Sequence, residues 1–217
     1  MRRDIIVNGQ YYHAFNKSIA GYKIFNDESE YRRMLNIMDY YRFSNPSMCY
    51  SNFLKLSLSL QSEVLTELSS HNKLIEVVNY CLMPTHYHFS LKQLVDCGIV
   101  KYVSNISNAY SRYFNIRHDR KGPLWQSRFK NVLIDSDEQL LHLSRYIHLN
   151  ATTSNLVSSP EEWPYSSYYE YINANSHKGI CDFKDVLNID QKIYKKFVIN
   201  RTSYQRELHK IKKLMFD

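Results

Sequence analysis

A seven-residue segment near the middle of the chain restricts the fold more than any other part of the sequence. Its side chains alternate strictly between apolar and polar, with Tyr87, Phe89 and Leu91 in one set and His86, His88, Ser90 and Lys92 in the other. A period of two predicts a β-strand with one face in a core and a polar opposite face. Alternate residues of a strand lie about 7 Å apart, so His86 and His88 could converge on one metal ion. A bare His-x-His pair is more often part of a polar strand surface than a metal site.

The pattern on either side of this strand predicts an α+β fold. Three further segments have the composition of strands, residues 11–15, 74–81 and 125–134, and three have apolar residues at helical spacing, residues 31–41, 100–116 and 138–150. The order strand, helix, strand, strand, helix, strand, helix indicates an antiparallel sheet with helices on one face, the split βαβ or ferredoxin-like arrangement. Residues 43–73 interrupt this order and are expected to form a partly helical insertion.

Composition argues against several classes of protein. The 217 residues fit one domain with an appendage. No apolar run approaches the length of a membrane span, so no membrane partner is expected. The five glycines are too far apart for a GxGxxG or P-loop motif, so no nucleotide cofactor is expected either. The four cysteines lack the spacing of a zinc site, which indicates reduced thiols in a cytoplasmic protein.

Positive charge and aromatic rings favour a nucleic-acid partner. The net charge is +7, and the chain has 19 tyrosines and 10 phenylalanines. Between residues 112 and 130 cations and rings are interleaved, as a channel for unpaired DNA requires. The candidate contacts there are Arg112, Arg117, Arg120, Lys121, Trp125, Arg128 and Lys130. A solvated charged loop has a similar composition, and that alternative stays open.

The helix predicted for residues 138–150 has a second stripe beside its apolar one. His142, Tyr146 and Asn150 follow at intervals of four residues and so share a face. A tyrosine one turn before an asparagine could place a nucleophilic phenol and an amide oxygen beside the same ion. Tyr110 and Tyr113 on the preceding helix are alternative nucleophiles, although their apolar neighbours indicate that at least one of them packs into the core. Spacing alone also allows Tyr146 to be an aromatic residue at the core edge.

Five blocks of sequence, in this order, resemble the single-tyrosine HUH transposases and in particular the REP-associated tyrosine transposases. The blocks are Tyr12–Lys17, Tyr80–His88, Gly122–Lys130, Arg145–Asn150 and Trp163–Tyr168. The resemblance covers about residues 5–172, which implies a catalytic domain over residues 1–172 and a basic, helical extension over residues 173–217. Three departures are visible: Thr85 stands where relatives often have Asn, Ala151 replaces a common Pro, and the insertion is longer than in many relatives.

The resemblance implies a particular chemistry. His86 and His88 would hold a divalent metal ion, Mg²⁺ or Mn²⁺, Asn150 would complete the site, and Tyr146 would be the nucleophile. The activity implied is that of a single-stranded DNA endonuclease and strand transferase, acting through a 5′-phosphotyrosine on hairpin-flanked DNA near the nucleoid. Two other interpretations stay open: a non-catalytic single-strand nucleic-acid-binding protein of ferredoxin-like fold, and a replication initiator or relaxase. The sequence leaves open whether the protein is a monomer or a homodimer.

Overall fold

Four strands build an antiparallel sheet in the computed structural model, which describes residues 5–173, 179–183 and 189–200. The strands are β1 (Tyr11–Lys17), β2 (Ile75–Met83), β3 (His86–Gln93) and β4 (Lys130–Ile134), in the spatial order β2-β3-β1-β4. β2 and β3 form a hairpin, and β1 pairs with both β3 and β4. This order is that of the split βαβ arrangement, so the fold predicted from the sequence is confirmed.

Two crossover helices cover one face of the sheet. α1 (Glu28–Tyr41) follows β1, and α4 (Gly98–Arg117) follows β3. Between them and the sheet lies the main core, which includes the fully buried Tyr87, Phe89 and Leu91 of β3, as the alternation predicts. Burying such a side chain stabilises the fold by about 2 kcal/mol. A shift of β3 by one residue would exchange its two faces and remove all three contributions.

The opposite face of the sheet carries the histidines of β3 and is called the histidine face below. It is covered by α5 (Asp137–His148), α6 (Asn150–Thr153), α7 (Tyr168–Ile172) and α8 (Gln191–Ile199). On it, Ile147 of α5 packs with Cys81 and Met83, which pair with His88 and His86 across β2 and β3. The prediction of helices on one face therefore holds for α1 and α4, whereas α5 lies on the other face because its apolar stripe contacts this side of β2.

Two predicted element boundaries are wrong. The strand expected over residues 125–134 begins only at Lys130, because residues 126–129 bend out of the ladder between β4 and the isolated antiparallel bridge that Trp125 forms with Ser18. The helix expected over residues 138–150 is α5, which begins after the capping side chain of Ser136 and ends at His148.

The two segments outside the sheet pattern contain helices. Residues 43–73 include α2 (Tyr50–Phe53) and α3 (Leu58–Ser70). The described part of the C-terminal extension includes α8, and most of the predicted basic arm lies outside the described residues. No helix in the described ranges is long and apolar enough to cross a membrane.

Candidate functional site

The histidine face brings the two predicted metal ligands together. The ring centroids of His86 and His88 are 5.2 Å apart, and their planes are nearly perpendicular. Nδ1 of His88 lies 3.0 Å from Nε2 of His13 on β1. Nδ1 of His86 lies 3.0 Å from the hydroxyl oxygen of Thr85. Since both Nδ1 atoms have partners, a shared ion would be bound through the Nε2 atom of each ring.

Burial keeps the imidazoles of His88 and His13 neutral, the form that binds metal. It lowers the pKa of His88 well below its usual value, and the neighbouring His13 and His86 lower that pKa further. Burial also lowers the pKa of His13 to about 4. For Nε2 of His88 to bind an ion, its Nδ1 must carry the proton and donate it to Nε2 of His13. When His13 carries its own proton on Nδ1, its Nε2 accepts this hydrogen bond and holds His88 in the tautomer that can act as a ligand.

His13 is a candidate site residue that the sequence reasoning missed. It lies in the block Tyr12–Lys17, but its role could not be predicted, because no local sequence pattern shows which strand pairs with β1. The alternation of Tyr11, His13 and Phe15 does place it on one face of that strand. The antiparallel register of β1 with β3 then brings that face beside His88.

Tyr146 approaches the histidine pair from α5. The ring centroids of Tyr146 and His88 are 5.7 Å apart, with the planes at 81°. The side chain of Tyr146 is 40 % exposed, so solvent reaches it. Burial of the remainder raises the pKa of the phenol, and the nearby Cys81 raises it further. At neutral pH the phenol therefore keeps its proton until a base or a cation assists its removal.

Asn150 lies one turn after Tyr146, where α5 gives way to α6. Its Nδ2 donates to the backbone carbonyls of Tyr146 at 3.0 Å and Ile147 at 3.4 Å. The side chain is buried, and its amide nitrogen is thus held by the helix that carries the tyrosine. The amide oxygen is the atom of this side chain that could serve as a ligand.

The donor set fits a divalent ion held by few protein atoms. Across the described part of the chain, no group of three or more His, Cys, Asp or Glu side chains could hold a metal ion. An ion at this site would therefore rely on the two imidazoles and the neutral amide of Asn150. Such a set leaves coordination positions for phosphate oxygens and water, and it suits Mn²⁺ better than Mg²⁺ because Mg²⁺ prefers oxygen ligands.

A cleft of about 270 Å³ opens beside the histidine pair. Among the residues that line it are His86, His88, Gln126 and two exposed cations, Lys17 and Lys130. Strand pairing determines the positions of these two lysines on the sheet, because Lys17 lies opposite His86 and Lys130 lies opposite Phe15. Both cations are therefore positioned to contact a phosphate backbone that passes the histidines.

Only part of the predicted DNA-contacting set lies near this cleft. Lys130 lines it, whereas Trp125 and Arg128 line a separate groove beside α4. The indole of Trp125 donates to Ser107 and packs edge-on against Tyr87, with ring centroids 5.2 Å apart. These contacts give Trp125 a packing role as well as any contact with bases.

The remaining predicted contacts lie at the end of α4 and in the loop after it. Arg117 donates to Asp27 at 2.7 Å and lies 3.4 Å from the buried Glu30. Arg120 donates to the side chain of Asn115 and to the carbonyl of Pro123. These two arginines thus tie the loop to the helical layer, whereas Arg112 and Lys121 lie at the surface.

The alternative tyrosines lie on the other side of the sheet from the histidines. Tyr110 is fully buried, and its hydroxyl donates to the carbonyl of Ile24. The hydroxyl of Tyr113 accepts a hydrogen bond from Arg117. The prediction that at least one of the pair packs into the core is confirmed.

Comparison with known proteins finds transposases among the relatives of this chain. A family model described as IS200-like transposase matches residues 53–150, the stretch that contains His86, His88, Tyr146 and Asn150. A protein of Haemophilus influenzae assigned to the REP-associated tyrosine transposases is 28 % identical over 110 residues, which are 46 % of this chain. The chain spans 62 % of the length of this curated relative.

A solved structure shares the fold. It is described as a REP-associated tyrosine transposase bound to a REP hairpin, and it matches with a TM-score of 0.52 and 13 % identity. The match covers 88 % of this chain and 98 % of the other. The resemblance to single-tyrosine transposases that the sequence motifs indicate is confirmed by these comparisons.

Proposed function

We propose that the protein is a metal-dependent single-stranded DNA endonuclease and strand transferase, in which Tyr146 attacks a phosphate held beside His86 and His88. The observation that carries this proposal is the 5.7 Å approach of the Tyr146 ring to the His88 ring, from a helix that is distant in sequence. The similarity to IS200-like transposases supports DNA transesterification. The hairpin bound to the structural relative supports hairpin DNA as the partner.

Each residue of the site would have a separate role in the reaction. His86 and His88 would hold Mg²⁺ or Mn²⁺ through Nε2, with the amide oxygen of Asn150 as the third ligand. When bound, the ion supplies Lewis-acid stabilisation of the negative charge on the phosphate oxygens. Lys17 and Lys130 would hold the neighbouring phosphates, and His13 would keep His88 in the tautomer that binds.

Tyr146 carries the covalent step. Its phenol oxygen attacks the phosphorus and gives up its proton to solvent, so that a Tyr–O–P bond forms while the bond from phosphorus to the 3′-oxygen breaks. The leaving 3′-oxygen takes up a proton, and the products are a 5′-phosphotyrosine and a free 3′-OH. Because the phosphotyrosine conserves the energy of the phosphodiester, attack by another 3′-OH reverses the step and joins strands. No nucleotide cofactor is needed for this exchange.

The experiment is a covalent-adduct assay with three tyrosine variants. Wild-type protein, Mn²⁺ and labelled single strands from inverted repeats beside its gene should give a denaturation-resistant complex linked through the 5′ phosphate. Tyr146→Phe should give none, whereas Tyr110→Phe and Tyr113→Phe should retain it. An adduct that persists in Tyr146→Phe would show that the nucleophile is elsewhere. A protein that binds the strands but forms no adduct in any condition would be a binding module without catalysis.

A further inference from the structure

A second candidate binding site lies on the opposite side of the sheet from Tyr146. A groove of about 490 Å³ runs between α1, α4 and the short helix α2 of the insertion. Arg33 of α1 and Arg112 and Arg117 of α4 line it, and we call it the arginine groove. We propose that the arginine groove binds an unpaired nucleotide of a DNA strand, outside the segment that Tyr146 cleaves. This inference rests on the proposed function, since it takes DNA as the partner.

Charge in the arginine groove favours an anion. Among the described residues that line it, three are arginines and none is an aspartate or glutamate. Arg117 is paired with Asp27. Within the described ranges, no carboxylate lies within ion-pair distance of Arg33 or Arg112. Two arginines without an internal counter-charge, facing one concave surface, are suited to a phosphate.

Arg33 is held in place by aromatic rings. Its guanidinium carbon lies 4.5 Å from the centroid of the Tyr113 ring and 5.6 Å from that of the Tyr50 ring. Cation–π contacts of this kind restrict a long side chain without neutralising its charge. The guanidinium can therefore meet a phosphate or stack on a base at a low entropic cost.

The remainder of the lining suits a nucleobase better than a simple anion. Ala109 and the buried rings of Tyr41 and Tyr50 form an apolar floor. Asn105 and Asn108 lie one turn apart on α4, and their amides offer donors and acceptors to a base edge. Inorganic phosphate needs neither the apolar floor nor the amides. A nucleotide uses both, together with the arginines.

The position of the arginine groove gives it a role distinct from cleavage. The α1–α4 layer separates it from the histidine face, so a strand in the groove is not the strand segment at Tyr146. A second contact on the same DNA raises the effective concentration of the first. Since Cys49, Tyr50 and Leu54 of the insertion form one wall, the insertion would help to choose which strands bind.

Cys49 provides a direct reporter of occupancy. Its thiol is exposed in the arginine groove, and the Ser51 hydroxyl, the Asn52 backbone and Arg112 lower its pKa. Cys97 is exposed outside the groove and serves as the control in the same molecule. Single-stranded DNA should slow alkylation of Cys49 by iodoacetamide about tenfold, as occupancy near 90 % requires, and should leave Cys97 unchanged. Peptide mass spectrometry measures both rates.

The competing ligands are separate arms of that experiment. Inorganic phosphate and an acidic peptide such as polyglutamate are added at matched charge concentration. Protection of Cys49 by DNA alone supports the nucleotide site. Equal protection by either competitor, or no protection by DNA, overturns it.

Substitution of Arg112 tests the same site without disturbing the catalytic face. Arg112→Gln should weaken binding of long single strands and reduce the salt slope of log K by about 0.7, because the variant has one cation fewer to pair with a phosphate. Lys101→Gln, also exposed on α4 but outside the groove, is the matched control. The Tyr146 adduct at saturating DNA should form at the wild-type rate in the Lys101→Gln control. Wild-type affinity and slope in Arg112→Gln would overturn the inference, whereas absence of the adduct in the wild type would instead refute the proposed function.

Discussion

The two faces of the sheet differ in the partners of their buried polar side chains. On the histidine face, buried imidazoles are paired with other side chains: His88 with His13, and His148 with Tyr194 and Ser167. On the α1–α4 face, the buried tyrosine Tyr110 donates to backbone, and the buried carboxylate of Glu30 is paired with the exposed side chains of Arg117 and His118. A chain of side-chain hydrogen bonds fixes orientation and tautomer, which chemistry requires. The aromatic layer of the α1–α4 face stabilises the fold, and of its arginines Arg33 and Arg112 have no carboxylate within ion-pair distance among the described residues.

The histidine face also anchors the helix that carries Tyr146. At the end of α5, Nδ1 of His148 lies 2.7 Å from the hydroxyl of Tyr194 on α8, and Nε2 lies 2.8 Å from the hydroxyl of Ser167. Tyr194 in turn donates to Ser144 of α5. These contacts attach α5 to α8 and to the last of the matching sequence blocks. Partners outside the Arg145–Asn150 block therefore help to hold the helix from which Tyr146 approaches His88.

Substitution of the two proposed metal ligands on the histidine face should have the largest effect on the cleavage rate. His86→Ala and His88→Ala should lower the cleavage rate by about 100-fold or more, because the phosphate is left without its charge stabilisation. Their affinity for single strands should remain close to that of the wild type. Gel-based cleavage and fluorescence anisotropy measure the two quantities. EDTA should abolish cleavage by the wild type, and cleavage that survives EDTA would eliminate the metal from the account.

Asn150→Ala provides a graded comparison within the same site. Its effect on the cleavage rate should be smaller than that of either histidine variant, since water can replace a neutral amide ligand. The same gel-based assay measures it.

The next prediction concerns the free energy of unfolding rather than the cleavage rate. His148→Ala removes a buried imidazole that bonds to the hydroxyls of both Tyr194 and Ser167 and leaves a cavity, so we expect the free energy of unfolding to fall by about 3 kcal/mol. Tyr110→Phe on the other face removes a single hydrogen bond and should cost about 1 kcal/mol. Urea denaturation followed by circular dichroism compares them. Equal decreases would show that the polar network of the histidine face has no special weight.

His13→Ala should reduce cleavage about 10- to 100-fold, the usual cost of removing the partner of a metal-binding histidine. His142→Ala is the matched control, because that histidine lies on α5 and outside the histidine pair. Binding of DNA should change little in either variant. A His13→Ala enzyme with wild-type cleavage at limiting Mn²⁺ would remove His13 from the site.

The smallest effects should separate the two groups of cations. Lys17→Ala and Lys130→Ala should each reduce the salt slope of log K by about 0.7 for strands that reach the cleft. Arg117→Ala should instead lower stability, because Arg117 is paired with Asp27 and lies beside the buried Glu30. Anisotropy titrations over a range of salt concentration distinguish these outcomes. If Arg117→Ala changed the salt slope more than either lysine variant did, Arg117 rather than the lysines would be the phosphate contact.

Much of the fold could be predicted from local pattern. The period of two in residues 86–92 identified β3 and its faces, and the helical spacing after Ser136 identified α5. These signals lie within one element and need no tertiary information. The same spacing identified Tyr146 and Asn150 as residues on one side of a helix.

The features that the sequence did not predict depend on pairing between distant segments. His13 contacts His88 only through the register of β1 with β3. Trp125 belongs to a basic and aromatic segment that favours base stacking, yet its N–H is bonded to α4. Arg117 is a free cation in the sequence, whereas in the fold it is ion-paired with Asp27 and with Glu30 of α1. Composition describes what such residues can do, whereas packing decides which partner they meet.

The most direct test of the central claim is to locate the DNA on the protein. Wild-type protein is allowed to react with a hairpin-flanked single strand and Mn²⁺, the adduct is trimmed with nuclease and protease, and tandem mass spectrometry finds the modified residue. The account predicts a nucleotide joined through its 5′ phosphate to Tyr146. A nucleotide on Tyr110, Tyr113 or any other residue, or cleaved DNA with a free 5′ phosphate and no protein attached at any stage, would contradict it.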